Sequence, residues 1–225
     1  MESDKNMDRP SVLVMGNKPF MHLPLDSVVD SFDYICRCNL SFPFLNNGTK
    51  TDALYLCPHI YEKVIPTLMA KDVFVKKYEA SYEKKYVEKF HDHFPSYNKC
   101  LIKKALNDDS RFNNFLKSKN CPYSFSKLPR TGYVAMIDFL IKGYNVFISH
   151  FSIESETRAS FYVKPSRYES DCHSKTDELK ILQWLHLHKH IDASLCLLKD
   201  APNISFKESH LSISDAIKKR LHKHL

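Results

Sequence analysis

Glycine is scarce in this chain: only four of its 225 residues are glycine. The sequence contains neither the GxGxxG fingerprint of dinucleotide-binding domains nor the GxxxxGKS/T loop of P-loop nucleotidases, which removes the main support for both classes. It also lacks an apolar run of roughly 18 residues, the length of a membrane span, and its charged amino terminus has no apolar signal-peptide segment. We therefore expect a cytoplasmic protein.

The sequence also lacks the usual motifs of zinc sites, disulfide frameworks and sites for a metal-bound nucleotide. The seven cysteines are odd in number and form no CxxC pair, so we expect reduced, mostly buried thiols. No Asp-x-Asp motif occurs, so the chain lacks the usual carboxylate ligands for a metal ion bound to a nucleotide diphosphate. His186, His188 and His190 recur every second residue, so on a helix they point in different directions and do not bind one metal ion. His91 and His93 have the same spacing and are excluded for the same reason. These absences favour a mechanism without a metal or other cofactor.

What the chain does contain is the composition of a folded, moderately basic protein. Lys and Arg number 33 against 26 Asp and Glu, a formal charge of +7, and 43% of the residues are apolar. Its length fits one α/β domain spanning residues 1–225. The positive charge favours an anionic partner, such as a nucleotide, a nucleic acid, an acidic glycan or a membrane surface, without selecting among them.

Strand and helix patterns alternate along most of the chain. Short β-branched or apolar runs predict strands, and stretches with apolar residues at helical spacing predict helices between them. Repeated β-α units indicate an α/β fold with a mostly parallel sheet and helices on both faces, and ligands bind beyond the carboxyl ends of such strands. The predicted strands are 11–15, 34–40, 53–56, 144–149 and 193–198; the predicted helices are 25–32, 58–69, 131–142 with Gly143 as its C-cap, 176–190 and one opening at the capping-box pattern of residues 212–215.

Two segments do not fit this alternation. Residues 78–118 are rich in Lys, Glu, Tyr and Asn and show no strand pattern, so we predict a helical insertion outside the sheet. Residues 151–172 have no period, and loops of that length in compact domains are usually functional or disordered. We predict that they form a lid.

Glycine and asparagine follow the first two predicted strands. Gly16 and Asn17 lie where the first strand meets a helix, and an Asn amide can donate to a phosphate or hydroxyl and accept from a base. Asn39 ends the second strand, 22 residues after Asn17, so the two amides can converge at one edge of the sheet. A turn-forming role for Asn39 is the alternative.

Residues 130–132 and His173 precede two predicted helices. The sequence Arg130-Thr131-Gly132 opens the helix at residue 131, where unbonded N–H groups and the helix dipole favour an anion such as phosphate; an ordinary N-cap threonine is the alternative. His173 stands just before the helix near Thr176. A neutral histidine is favoured there and can act as a base, although a lone histidine is also a common surface residue.

Five segments taken in order resemble the bacterial CMP-sialic acid-dependent sialyltransferases. Their order, the interval between the two asparagines and the sequence leading from His173 into an acidic helix carry the resemblance, which spans nearly the whole chain. The related transferases that move Kdo from CMP-Kdo to lipopolysaccharide core use a donor of the same chemical design and are the alternative. The segments are VLVMGN (12–17), YICRCN (34–39), NNGTKTDALYLCP (46–58), PRTGYVAMIDFLIKGYNVFIS (129–149) and HSKTDELKILQWL (173–185).

The resemblance implies a single Rossmann-like domain of the GT-A variant type, with a lid over the donor, no metal and inversion at the anomeric carbon. It implies that Asn17 and Asn39 hold the CMP part of the donor. Thr131 and Gly132 would bind the donor's nucleotide or carboxylate. His173 would be the general base that takes the proton from an acceptor hydroxyl of a lipooligosaccharide or lipopolysaccharide glycan.

Further roles follow for the lid and for the positive charges near it. Lid tyrosines stabilise the departing CMP phosphate in that family, and the candidates here are Tyr162 and Tyr168. Arg130 would supply positive charge near the donor phosphate, and the alternative is that it is a solvated surface residue. Such donors stabilise the charge that develops in an oxocarbenium-like transition state.

The chain departs from the family pattern in two places. Cys57-Pro58 stands where the family often has Asn-Pro, and Ser149-His150-Phe151 stands where it has an acidic residue. Both changes fall near the donor and acceptor pockets, and they point to a different sugar, such as Kdo, or to lost activity. A non-catalytic nucleotide-binding domain is therefore the hypothesis of a different class.

The basic segment 213–225 predicts an amphipathic C-terminal helix. Its lysines and histidines accompany Ile217, Leu221 and Leu225, so the helix can lie on an anionic inner membrane surface where a lipid-linked acceptor is built. The alternative is a solvated helix that packs its apolar edge on the domain. Acids interspersed among the lysines of 76–89 argue against a nucleic-acid partner, and the sequence is compatible with a homo-oligomer.

Overall fold

The computed structural model describes residues 9–17, 25–39, 47–56, 70–76, 101–105, 109–153, 173–198 and 213–224. Within these ranges the chain forms a sheet of seven strands in the order β5-β4-β3-β2-β1-β6-β7. Every neighbouring pair is parallel, which confirms the predicted α/β class. The strands are β1 (Ser11–Met15), β2 (Tyr34–Cys38), β3 (Ala53–Leu56), β4 (Asp72–Lys76), β5 (Leu101–Ala105), β6 (Asn145–Ser149) and β7 (Ile191–Asp192).

Helices cover both faces of this sheet. The α-helices of the described ranges are α1 (Asp26–Asp30), α2 (Asp109–Ser118), α3 (Thr131–Ile141), α4 (Lys175–Leu187) and α5 (Asp215–His224). Val12 and Val14 of β1 pack with α2, α3 and α4 on one face. Leu13 and Met15 pack with α1 and α5 on the other. A strand buried on both faces is largely apolar, and four of the five residues of β1, Val12–Met15, are apolar.

The strand order creates a crevice beside β1. The chain proceeds from β1 outward through β2 to β5, and then returns to place β6 on the other side of β1. Ligands of open α/β sheets bind outside the carboxyl ends of the strands, at such a reversal of strand order. Gly16 follows β1 and His150 follows β6, so both residues lie at this point.

The helix ends explain several predicted boundaries. Gly143 follows α3 with φ +83°, and the bonds from the Gly143 N–H to Leu140 and from the Tyr144 N–H to Phe139 complete a Schellman motif. The Ser174 hydroxyl accepts from the Asp177 N–H and caps α4. At α5 the predicted capping box is shifted, because Ser214 accepts the Ile217 N–H.

Two predictions about the sheet are wrong. Part of the proposed helical insertion 78–118 is strand β5, which pairs with β4, whereas the helix α2 near its end agrees with the prediction. Residues 78–100 and 106–108 of this segment lie outside the described residues. LIKKA lacks strand alternation because an edge strand tolerates lysine and needs no second buried face. The last strand is Ile191–Asp192, not 193–198, since the Asp192 carboxylate accepts the Ser194 N–H and starts a 3-10 helix, Ser194–Leu197.

The start of the proposed lid belongs to the core. Phe151 and Ile153 are 6% and 1% exposed, and the Ile153 carbonyl accepts from the Gln183 side chain. Residues 154–172 lie outside the described residues, as do those of the helix predicted at 58–69. Within the described ranges, no helix combines the length and apolarity needed to cross a bilayer.

Candidate functional site

The carboxyl ends of β1 and β6 meet in close backbone contact. The Gly16 N–H donates to the Ser149 carbonyl at 2.9 Å. A Cβ placed on Gly16 would lie 2.5 Å from the His150 carbonyl oxygen and 3.1 Å from the Phe151 ring. Only glycine permits this approach, so the glycine that follows β1 is required by the geometry of the crevice.

The first turn of α3 closes on the same segment. A Cβ placed on Gly132 would lie 2.7 and 2.8 Å from two atoms of the Phe151 ring. Thr131, the first residue of α3, is 4% exposed. The structure therefore brings Gly16 and Gly132 together around Phe151, with Thr131 buried next to Gly132 in the chain. All three belong to the substrate-binding residues predicted from the sequence.

Asn17 presents an unused acceptor beside this cluster. Its Oδ1 is buried and has no hydrogen-bond partner among the described residues. Native proteins leave few buried polar atoms unpaired, and each such atom calls for an explanation. A donor group of a bound ligand would satisfy it.

Asn39 lies at the matching position of the neighbouring strand. Met15 is paired with Arg37 in the parallel register of β1 and β2, so Asn17 and Asn39 each follow their paired residue by two positions. Asn39 has φ +54°, and its N–H donates to the Tyr55 carbonyl at 2.7 Å. The left-handed backbone supports the turn-forming alternative, and the binding role stays a prediction.

Arg37, between them in the sequence, is fully buried and structural. Its guanidinium donates to the carbonyls of Asn47, Gly48 and Lys50 and to the Thr51 hydroxyl. Burial lowers its pKa to about 10, against the opposite effect of Asp30. These bonds fix the loop before β3.

His173 donates a hydrogen bond to the backbone segment that precedes α3. Its Nδ1 lies 2.5 Å from the Leu128 carbonyl oxygen. A carbonyl can only accept, so Nδ1 carries the proton and Nε2 carries the lone pair of the neutral ring. This is the tautomer of a histidine that can accept a proton at Nε2, as the base prediction requires.

Arg130 is engaged with a carboxylate. Its N–H donates to Glu178 Oε1 at 2.6 Å, and its Nε donates to Glu178 Oε2. Glu178 is 1% exposed, whereas the Arg130 side chain is 43% exposed. Glu178 therefore neutralises part of the positive charge that the sequence assigned to substrate binding.

Sequence reasoning missed Glu178 and its neighbour Asp177. The Asp177 carboxylate accepts the N–H and the hydroxyl of Ser126. The two acids resemble ordinary first-turn residues of a helix, and their partners lie 51 and 48 residues away. No local pattern in the sequence indicates such contacts.

Other candidates are placed elsewhere or cannot be located. Tyr162 and Tyr168 lie outside the described residues. His186 Nδ1 accepts the Ala193 N–H, and the rings of His188 and His190 stack on Trp184. No cluster of three His, Cys, Asp or Glu side chains suited to a metal ion occurs in the described part of the chain. The four cysteines described there, Cys36, Cys38, Cys121 and Cys196, form no disulfide.

Solved sialyltransferases share this architecture. A mammalian sialyltransferase aligns over 81% of this chain and 68% of its own, with a TM-score of 0.54 and 14% identity. The monofunctional α-2,3-sialyltransferase Cst-I from Campylobacter jejuni aligns over 96% of this chain and 94% of its own, with a TM-score of 0.53 and 14% identity. No protein-family model and no curated protein sequence matches the chain. The chain has the fold of sialyltransferases, which confirms the predicted resemblance at the level of fold.

Proposed function

We propose that this protein is a glycosyltransferase that moves sialic acid from CMP-sialic acid to a hydroxyl group of a glycan. One observation carries the proposal: His173 Nδ1 is hydrogen-bonded to the Leu128 carbonyl, which supports a neutral ring with Nε2 as its basic nitrogen. Leu128 lies three residues before the start of α3, whose first turn packs against the crevice. The likeness of the fold to that of solved sialyltransferases supports this choice of donor and reaction.

In the proposed reaction the acceptor oxygen attacks the anomeric carbon as its proton passes to His173 Nε2. The bond from that carbon to the CMP phosphate breaks, its electron pair stays on the phosphate oxygen, and the configuration inverts. General-base catalysis by a histidine contributes about 10²-fold to 10⁴-fold to a rate. No metal is part of this mechanism.

The donor is proposed to lie in the crevice between β1 and β6. Asn17 and Asn39 hold its CMP part, and a CMP donor group pairs with the buried Asn17 Oδ1. Thr131 and Gly132 direct N–H groups of the α3 terminus to the phosphate or the sugar carboxylate. Tyr162 and Tyr168 stabilise the departing phosphate.

Kdo transfer from CMP-Kdo is the second candidate, because one of the two departures from the family pattern, at His150, lies in the crevice itself. The other, Cys57-Pro58, lies outside the described residues. His150 has φ +61° and is 3% exposed, and its carbonyl faces Gly16. A changed residue here can alter the sugar that fits. The remaining hypothesis is a domain that binds a nucleotide and catalyses no reaction.

The acceptor is proposed to be a lipooligosaccharide or lipopolysaccharide glycan on an anionic membrane that contacts α5. Lys219, Arg220, Lys223 and His224 of α5 line a cleft of about 410 Å³ beside Ser31. This concentration of positive charge supports peripheral binding to acidic headgroups.

The first experiment measures CMP release from CMP-sialic acid and from freshly generated CMP-Kdo in EDTA, with and without truncated lipooligosaccharide. We expect acceptor-stimulated release with one donor, and a loss of about 10²-fold to 10⁴-fold in kcat for His173→Ala. His222→Ala, which changes an exposed histidine of α5, should retain wild-type kcat.

Three outcomes would contradict parts of the proposal. A strict metal requirement would exclude the mechanism, and an unchanged rate in His173→Ala would exclude the base. CMP binding without release from either donor would favour the non-catalytic domain.

A further inference from the structure

Three contacts fasten the segment before α3 to the start of α4. Ser126 binds Asp177, Leu128 binds His173 and Arg130 binds Glu178. Alternate residues of one short segment thus meet residues 173–178. We call this set of three contacts the clamp.

Glu178 is the most deeply buried residue of the clamp. Glu178 receives two donors from one residue, the backbone N–H and the side-chain Nε of Arg130. Two bonds to a carboxylate that is 1% exposed restrain both the position and the orientation of Arg130. Arg130 is extended, with φ −64° and ψ 157°, and stands immediately before α3.

Only Pro129 separates Arg130 from Leu128, whose carbonyl holds His173. The proline ring fixes its own φ, and the residue before a proline is restricted to extended conformations. A restraint on Arg130 is therefore transmitted to the Leu128 carbonyl with little freedom in between. On the other side, His173 and Glu178 are joined through the capped first turn of α4.

We propose that Glu178 is a positioning residue that, through Arg130 and Leu128, holds His173 as the Nδ1–H tautomer for proton transfer at Nε2. This inference rests on the proposed function, because it gives His173 the role of base. Loss of Glu178 lets the Leu128 carbonyl move away from Nδ1. The ring then populates the Nε2–H tautomer, which cannot accept a proton at Nε2.

The test compares Glu178→Ala, Glu178→Gln and wild type in the full chain. Glu178→Ala removes both acceptors, whereas Glu178→Gln keeps an acceptor oxygen for one of the two Arg130 donors. The matched control is Ile181→Val, which removes one methyl group from another buried residue of α4 and leaves the clamp intact.

The direct readout is the tautomer of His173, from nitrogen-15 correlation spectra of histidine-labelled protein. The His173 signals are assigned as those missing from His173→Gln. We expect the Nδ1–H form in wild type and in Ile181→Val, a raised Nε2–H fraction in Glu178→Ala, and an intermediate result in Glu178→Gln.

The kinetic readout separates positioning from binding. Glu178→Ala should lower kcat for CMP release about 10-fold to 100-fold, by analogy with the loss of a partner that orients a metal-bound histidine, with the donor KM nearly unchanged. Ile181→Val should match wild type in both constants.

The two readouts distinguish failure of this inference from failure of the proposed function. If wild type releases no CMP from either donor, the proposed function fails, and the tautomer measurement still decides whether Glu178 holds His173. If the tautomer of His173 is unchanged in a folded Glu178→Ala or Glu178→Gln protein, Glu178 does not position it and the inference is overturned.

Discussion

Gly16 and Gly132, the two glycines of the crevice, are required because of what lies against them. Gly16 faces the His150 carbonyl, and Gly132 faces the Phe151 ring, in both cases closer than a Cβ can approach without displacement. Gly143 differs, because nothing lies within 4 Å of its Cβ position and its φ is +83°. Substitution of Gly132 is thus restricted by the space around its Cβ position, whereas substitution of Gly143 is restricted by its backbone conformation.

Gly132→Ala should lower both stability and ligand affinity. Its new Cβ must displace the Phe151 ring, and overpacking of this kind costs about 1–3 kcal/mol. Because Phe151 also packs beside Gly16, the crevice should change shape and CMP should bind more weakly. Thermal unfolding and calorimetric titration with CMP measure the two effects.

Gly143→Ala is the control for this prediction. It should also reduce stability, by about 1–2 kcal/mol, because alanine is strained at positive φ. Its affinity for CMP should equal that of wild type, since Gly143 lies at the opposite end of α3 from Gly132. Unchanged CMP affinity in Gly132→Ala would show that the crevice is not the donor site.

Sequence alone could identify the residues at the crevice but not the contacts that hold them. Scarce glycines and residues that follow strands pointed to Gly16, Asn17 and Gly132, since the carboxyl edge of a parallel sheet collects such positions. The Glu178 contact with Arg130 joins residues 48 positions apart. Side-chain pairing across that distance depends on the packing of α3 against α4, which no local spacing encodes.

At the scale of elements, success depended on how apolar a strand is. β1, β2, β3 and β6 lie inside the sheet and are mostly apolar, so their sequences stand out as buried runs. The interior strand β4, DVFVK, begins and ends on a charged residue, and the sequence analysis does not identify it. β5 is an edge strand, and β7 is only two residues long. Their sequences, LIKKA and ID, carry too little alternation to be recognised.

The C-terminal helix α5 follows the alternative that its sequence pattern left open, because it packs its apolar edge on the domain. Ile217 and Leu221 are 0% and 7% exposed in the core beneath the sheet. Arg220 lies over the Phe32 ring at 4.2 Å and donates to the Ser31 carbonyl. The proposed contact of α5 with a membrane would therefore be electrostatic and would not insert Ile217 and Leu221.

Removing two lysines of α5 should weaken binding to anionic vesicles. Lys219 and Lys223 are exposed and line one cleft. Each lysine near an anionic surface contributes about 1 kcal/mol, so the double variant Lys219→Gln/Lys223→Gln should bind about 30-fold more weakly. Sedimentation with phosphatidylglycerol vesicles at low and high salt measures this.

The matched variant Lys117→Gln/Lys119→Gln removes the same charge near α2, on the other face of the sheet. It should bind the vesicles as wild type does. Equal loss in both variants would mean that net charge, and not α5, governs binding, and binding to neutral vesicles would contradict an electrostatic contact.

At the scale of the whole molecule, two histidines link stability to pH. Burial lowers the pKa of His186, against the opposite effect of Asp192. Burial and the positive charges of Lys119 and His188 lower the pKa of His190. His186 Nδ1 accepts the Ala193 N–H at 3.1 Å, so protonation there would set one N–H against another.

Acidification should therefore destabilise the protein before its carboxylates titrate. A histidine whose folded pKa is lowered binds fewer protons than the unfolded chain, so stability is lost as pH falls through the unfolded value of about 6.5 and below. Hydrogen bonds from the Ser11 hydroxyl and N–H hold the pKa of Asp33 below its usual range, so that group contributes only in stronger acid. We expect the unfolding temperature to fall between pH 7.5 and about pH 5.

The double variant His186→Asn/His190→Asn isolates this effect, because asparagine keeps an acceptor for the Ala193 N–H and does not titrate. Its unfolding temperature should vary less over the same pH range than that of wild type. The single tryptophan, Trp184, stacks on His188 and His190, so its fluorescence reports unfolding at this end of α4. If wild type and the double variant lose stability in parallel, other groups among the twelve histidines of the chain account for the pH dependence, and the linkage assigned to His186 and His190 is wrong.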